Sequence, residues 1–202
     1  MRKGRMDGFM DSGNAARDRS WAQTCTELMR DSFARIQSAV LRDENGRFTS
    51  EEIEDTRALY RLTFHFRGGL GFGMRMQDNG EPVFFADERQ LTASSDILDF
   101  INAHELCHAL IQRHPESDFM QEKTRILARA KECPNDPAAL AEKMRIHDEE
   151  EDRCHDFALR AAPDTDLEAF GQYLHFLAPT EEEEEKAIEC VRLLEAKRLL
   201  LR

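Results

Sequence analysis

The sequence predicts an α+β protein in which a small antiparallel β-meander is followed by a mainly helical C-terminal half. Alternating apolar and polar residues at 60–66, with further extended segments at 72–77 and 82–86, predict the three strands. Asp78-Asn79-Gly80, between the second and third segments, is typical of a hairpin turn. Pro82 favours an edge strand or a strand start, because proline lacks the N–H that a central strand donates.

Helical spacing of apolar residues predicts the remaining elements. A helix at 20–41 precedes the strands, and its apolar residues share one face: Trp21, Cys25, Leu28, Phe33, Ile36 and Val40. Ser50 is predicted to be the N-cap of a short helix with an acidic first turn. After the strands, a helix ends at His114-Pro115. Prolines separate four more predicted helices, at 118–132, 137–161, 165–177 and 180–200. Residues 1–14 lack periodicity and predict a loose tail before a single domain at 15–202.

Composition narrows the possible functions. The net charge of −12 disfavours direct nucleic-acid binding, because a phosphate backbone would be repelled. No apolar stretch approaches 18 residues, so we expect no membrane span. The basic start of the chain lacks the apolar run of a secretory signal. Five dispersed cysteines with no C-x-x-C pair suit a reducing compartment, so we expect a cytoplasmic protein.

The motif His104-Glu105-Leu106-Cys107-His108 is the strongest chemical signal. On a helix its two histidines lie one turn apart and point the same way, so they can occupy two corners of a tetrahedral zinc site. The glutamate between them can act as general base on a water held by the metal. Apolar residues around the motif have helical spacing, at 97, 98, 101, 106, 107, 110 and 111. The alternative is a helix with two ordinary core histidines.

A catalytic zinc site needs a third protein ligand, and two candidates remain. Glu151 borders the apolar face of the predicted helix at 137–161, with His155 one turn further on as a group that could contact a metal ligand. His114 has the spacing of the third histidine of metzincin peptidases, but Ile111 stands where that pattern has the glycine that turns the chain back. On a continuous helix, His114 would be rotated about 240° from His108. Glu151 is therefore the preferred ligand.

These residues resemble a known family. A strand, an H-E-x-x-H helix and a glutamate on a later helix resemble the gluzincin metallopeptidases, and the local sequence is most similar to the small cytoplasmic ImmA/IrrE group. The matching residues are those of the motif, Ala109 and Leu110, and then Glu151, Cys154, His155, Phe157 and Ala158. His155 departs from the family, which usually has Asn or Asp there. SprT-like and WLM zincins, which use a third histidine, are the second choice.

The resemblance implies a zincin-like zinc metallopeptidase that hydrolyses peptide bonds. His104, His108 and Glu151 would hold one Zn²⁺ per chain, and Glu105 would be the general base. The substrate would be a protein or peptide bound as an extended strand along Pro82–Ala86. Tyr173 and His175 are candidates for stabilising the oxyanion, with Tyr60 and His65 after them.

Two other functions stay open. Glu105-x-x-His108 and Asp152-x-x-His155 have the spacing used by carboxylate-bridged di-iron oxidoreductases. A non-catalytic zincin fold could also serve as a regulatory or interaction module, with a structural zinc closed by His114 or His155 as a fourth ligand.

Overall fold

The computed structural model describes residues 12–59, 62–66, 73–86, 93–178 and 180–201. Two helices precede the sheet, α1 (Ser12–Leu41) and α2 (Ser50–Ala58). The strands are β1 (Thr63–Phe66), β2 (Gly73–Met76) and β3 (Pro82–Ala86). Five helices follow: α3 (Ser95–Gln112), α4 (Asp118–Glu132), α5 (Pro137–Ala161), α6 (Leu167–Leu177) and α7 (Glu181–Leu200). The prediction of an α+β protein with a mainly helical C-terminal half is confirmed.

The sheet is mixed, and the predicted antiparallel meander is wrong. The strand order is β1-β3-β2, with β3 parallel to β1 and antiparallel to β2. The β2–β3 hairpin is confirmed, and Gly80 in its turn has a φ of 77°, in the left-handed region that favours glycine. Residue alternation indicates which side chains share a face of a strand, but it carries no information on which strands are neighbours. The start of the first predicted strand, Tyr60-Arg61, lies outside the described residues, as does Phe72.

The prediction that Pro82–Ala86 forms a free edge is also wrong, because β3 is the central strand. Val83 and Phe84 are both buried although they point to opposite faces, so both faces of β3 are covered. Pro82 lies at the start of the strand, which is the other position that the sequence allowed for it. A substrate therefore cannot pair with β3 as an edge strand.

The helix α1 forms one wall of the core. Its buried residues recur every three or four positions, at Cys25, Met29, Phe33, Ile36 and Val40. The Phe33 ring contacts the sheet, with its centroid 4.5 Å from that of Phe84. The helix is described from Ser12 onwards, and residues 1–11 of the predicted tail lie outside the described part. A helix can extend beyond its apolar face because its hydrogen bonds are local.

Side-chain N-caps begin five of the other described helices, α2, α4, α5, α6 and α7. Thr49, and not Ser50, is the N-cap of α2, where it forms a reciprocal capping box with Glu52. The predicted bounds of α4 and α5 are confirmed. The starts of α6 and α7 are one or two residues later than predicted, because Asp166 and Thr180 accept hydrogen bonds as N-caps. In the core, α3 packs between α1 and α5.

Candidate metal centre

Two neighbouring helices bring the candidate ligands together. The middle of α3 carries His104 and His108 one turn apart, among buried neighbours such as Leu106 and Ala109. The helix α5 packs along α3 and presents Glu151 to both histidines. At this contact the Cys107 thiol donates a hydrogen bond of 3.8 Å to the backbone carbonyl of Arg153.

The three ligand atoms form a compact triangle. The Nε2 atoms of His104 and His108 are 3.2 Å apart. Oε2 of Glu151 lies 3.1 Å from Nε2 of His104, and Oε1 lies 3.5 Å from Nε2 of His108. The carboxylate therefore faces both imidazoles, as the sequence predicted for a third ligand.

This donor set fits zinc. Bonds of about 2.0–2.2 Å to nitrogen and oxygen in a tetrahedral site place the ligand atoms about 3.3–3.6 Å from one another. The three observed separations, between 3.1 and 3.5 Å, are close to these edges. Two neutral imidazoles and one carboxylate also leave the fourth corner of a tetrahedron for a water or substrate oxygen.

A second glutamate, Glu150, supports His108 from behind. Its side chain is only 4% exposed, and its Oε1 lies 3.0 Å from Nδ1 of His108. With the proton on Nδ1, His108 donates to Glu150 and keeps the lone pair of Nε2 for a metal. The Lys123 ammonium pairs with the other oxygen of Glu150 and neutralises it. Sequence reasoning missed Glu150, although its position next to Glu151 on one helix was a possible signal.

The charges of the centre shift the pKa values of its members. Burial lowers the pKa of His108, but the carboxylates of Glu150 and Glu151 outweigh it and raise that pKa to about 10. Burial opposes the ionisation of Glu151, yet hydrogen bonds from His104 and His108 hold its pKa well below the usual range. Because a metal ligand must be a neutral imidazole, metal binding would release the proton of His108.

Glu105 lies next to this triangle on α3. Burial raises the pKa of its carboxyl, while His104 and His108 act in the opposite direction. Among the described residues, none forms a hydrogen bond with the Glu105 carboxylate.

Two further side chains surround the ligands. The imidazole of His155 lies against His104, with ring centroids 4.9 Å apart, and its Nε2 is 3.8 Å from Sγ of Cys190. Burial, together with His104, lowers the pKa of His155 to about 4, so it is neutral at pH 7. Cys154 is fully buried, and burial raises the pKa of its thiol. Its Sγ nevertheless lies close enough to His104 and His108 to share an ion with them.

The rival ligand His114 lies in a different group. It is beyond the end of α3, where Nε2 pairs with Asp55 and Nδ1 lies 3.3 Å from Glu116 and 3.5 Å from Glu51. His114, Asp55 and Glu51 line a separate cavity of about 340 Å³ that contains neither His104 nor Glu151. The structure therefore brings Glu151 to the two histidines of the motif and leaves His114 with other carboxylates.

The candidate oxyanion residues are dispersed. Tyr173 is buried in α6 and lines a pocket with His104. His175 is exposed and lies 3.1 Å from Glu184. His65 contacts the Phe85 ring in the sheet, and Tyr60 lies outside the described residues. Of the three described residues, only Tyr173 lies beside the candidate centre.

The second acid–histidine pair of the di-iron hypothesis is not assembled at the centre. Asp152 is largely exposed, and its carboxylate lies 2.9 Å from Nζ of Lys197 on α7. It therefore points to α7, whereas His155 lies against His104. This geometry gives no support to a second iron ligand at Asp152.

Comparison with known proteins adds no assignment: no family model, curated protein or solved structure matches the chain. Among the described helices, none is long and apolar enough to cross a membrane.

Proposed function

We propose that the protein is a zinc-dependent metallopeptidase that hydrolyses peptide bonds of a protein or peptide substrate. The observation that supports this most is the position of the Glu151 carboxylate, whose two oxygens face Nε2 of His104 and Nε2 of His108 at tetrahedral separations. Two His and one carboxylate from two helices, with Glu105 between the histidines, are the parts that metal-assisted hydrolysis requires.

The chain's own residues have defined tasks in this mechanism. When bound, zinc supplies a Lewis acid that polarises a carbonyl and makes a water more acidic. Glu150 fixes the tautomer and ring orientation of His108, and His104 and Glu151 complete the ligand set. Glu105 accepts the proton of the attacking water and returns it to the leaving amine. Tyr173 is the candidate donor to the developing oxyanion.

The substrate is proposed to bind as an extended strand at the edge of the sheet. Since β3 is central, the outer strands among those described are β1 and β2, and β2 packs against α3. The outer edge of β2 is therefore the edge that we propose for the substrate.

The first experiment measures metal content and hydrolysis together. We expect one zinc per chain by elemental analysis, cleavage of a mixed peptide library, loss of cleavage with a chelator and recovery with zinc. Glu105→Gln should keep the zinc and reduce kcat by about 10²–10⁴-fold. Glu185→Gln, an exposed glutamate on α7, is the matched control and should change neither quantity. Wild-type rates in Glu105→Gln would disprove the mechanism, and two irons per chain would favour the oxidoreductase.

A closed structural zinc is the second candidate, because His155 lies close enough to His104 and Glu151 to share an ion with them. It would make the protein a non-catalytic module. In that case His155→Ala should lose zinc as strongly as His104→Ala. If the centre is open and catalytic, His155→Ala should retain one zinc per chain and should still cleave peptides.

A further inference from the structure

An apolar pocket opens beside the candidate metal centre and shares His104 and Glu151 with it. Its volume is about 210 Å³. Its polar side, next to the candidate metal centre, is formed by His104, Glu151 and His155. Apolar side chains of α3 and α6 form the rest of the wall, mainly Phe100, Ile101, Phe170, Leu174 and Leu177.

Packing holds the walls of this pocket in place. The rings of Phe100 on α3 and Phe170 on α6 have centroids 5.0 Å apart, and both side chains are buried. Leu174 and Leu177, one turn apart on α6, are only half-buried. The deep part of the wall is therefore closely packed, whereas the two leucines leave apolar surface for a ligand.

The size and chemistry of the pocket select its ligand. The volume is below the range of about 300–1,000 Å³ that is typical of sites for drug-sized molecules, so it suits a single side chain. None of the lining residues is a lysine or arginine, so an acidic side chain would lose its hydration without finding a cation there. A large apolar side chain would gain from burial against the aromatic rings and leucines.

We propose that this pocket is the specificity pocket, and that it takes a large apolar side chain, such as leucine, methionine or phenylalanine, of a residue flanking the scissile bond. This inference rests on the proposed peptidase function. His104 and Glu151 belong both to the pocket wall and to the candidate metal centre. Since consecutive Cα atoms are only 3.8 Å apart, a side chain in the pocket belongs to a residue at or next to the reacting carbonyl.

The test is a comparison of cleavage specificity between the zinc-loaded wild type and pocket variants. We expect a mixed peptide library, read by mass spectrometry, to show enrichment of large apolar residues at one position flanking the cut. With matched peptides, kcat/KM for leucine there should exceed that for alanine by at least about tenfold. Leu174→Trp, which fills the pocket, should reduce this ratio to below about threefold while the zinc content stays at one per chain.

Two further variants make the comparison specific. Gln172→Trp adds the same side chain to an exposed position of α6 outside the pocket and should preserve the leucine preference. Leu177→Ala enlarges the pocket and should shift the preference towards tryptophan, which keeps the test decisive if Leu174→Trp does not fold. A wild type without apolar preference, or a preference that survives in folded Leu174→Trp, would overturn the pocket assignment.

Failure of the proposed function has a different signature. It would appear as no cleavage of any peptide by the zinc-loaded wild type, or as equal cleavage by Glu105→Gln. In that event, binding of N-acetyl-leucinamide and N-acetyl-alaninamide is followed by NMR of the wild type and Leu174→Trp. Binding of N-acetyl-leucinamide by the wild type alone supports an apolar side-chain pocket. Equal NMR shifts with both amides, or in both proteins, overturn the pocket assignment.

Discussion

Helix α3 and the residues just after it contribute histidines to two groups of similar composition, and the group around His114 is also close enough to share an ion. In the middle of α3, His104 and His108 face Glu151. Just beyond its end, His114 meets Asp55 and Glu51 of α2. Both groups combine imidazole and carboxylate, so composition alone does not distinguish them.

The difference lies in where the lone pairs point and what surrounds them. In the first group two Nε2 atoms and a carboxylate face one another, and a buried glutamate holds Nδ1 of His108. In the second group both nitrogens of a single histidine are already used by carboxylates, and Arg113 shares Asp55. Glu51 and Glu116 are 71% and 72% exposed there. The two groups therefore differ in where their lone pairs point and in which residues hold the histidines, and not in residue type.

The largest expected effect comes from removing Glu151 from the first group, compared with removing His114 from the second. Glu151→Ala should lower the zinc content of the purified protein from one per chain to near zero, because two histidines alone bind zinc weakly. His114→Ala should retain one zinc. Elemental analysis of both proteins, with circular dichroism to check folding, measures this contrast. Zinc loss in His114→Ala with retention in Glu151→Ala would reverse the assignment of the two groups.

A smaller effect is expected from the residue that supports His108. Glu150→Gln removes the charge that makes His108 a better ligand and should weaken zinc affinity by about 10–100-fold. Competition with a chromophoric chelator gives the affinity. The neighbouring Glu149→Gln, in which a half-buried carboxylate paired with Arg153 is changed, serves as the control and should leave the affinity unaltered. Equal affinities in the wild type and Glu150→Gln would mean that Glu150 only pairs with Lys123.

The smallest effect is on stability at the end of α3. Hydrogen bonding with Asp55 raises the pKa of His114 above its usual value. The His114–Asp55 pair therefore stabilises the fold fully below a pH of about 6.5, the unfolded pKa, and this contribution is lost as the pH rises through the higher folded pKa. His114→Ala should lower the free energy of unfolding by less than about 1 kcal/mol, and more at low pH than at high pH.

Urea unfolding at acidic and alkaline pH measures this difference. In an Asp55→Asn background the effect of His114→Ala should depend less on pH, since the carboxylate that raises the pKa of His114 most is absent, while Glu116 and Glu51 contribute less. A larger loss of stability at alkaline pH would contradict the expected sign and point to a neutral His114 in the fold.

Several local features of this protein could be predicted from its sequence, because they depend on interactions between residues that are close in the chain. The spacing of His104 and His108 needs only helical geometry to place both imidazoles on one face. The bounds of α4 and α5 follow from serine and aspartate N-caps and from prolines, which act within a few residues. The β2–β3 turn follows from the backbone freedom of Gly80.

Only the tertiary structure decided the rest, because it depends on contacts between residues far apart in the chain. The central place of β3 arises from pairing with β1 and β2, which alternation within a strand does not encode. The positions of Glu151 beside the two histidines, of Glu150 beside His108 and of His114 beside Asp55 follow from how α2 and α5 pack on α3. The apolar pocket exists because α6 lies across α3 beside His104, a juxtaposition of residues about 70 positions apart.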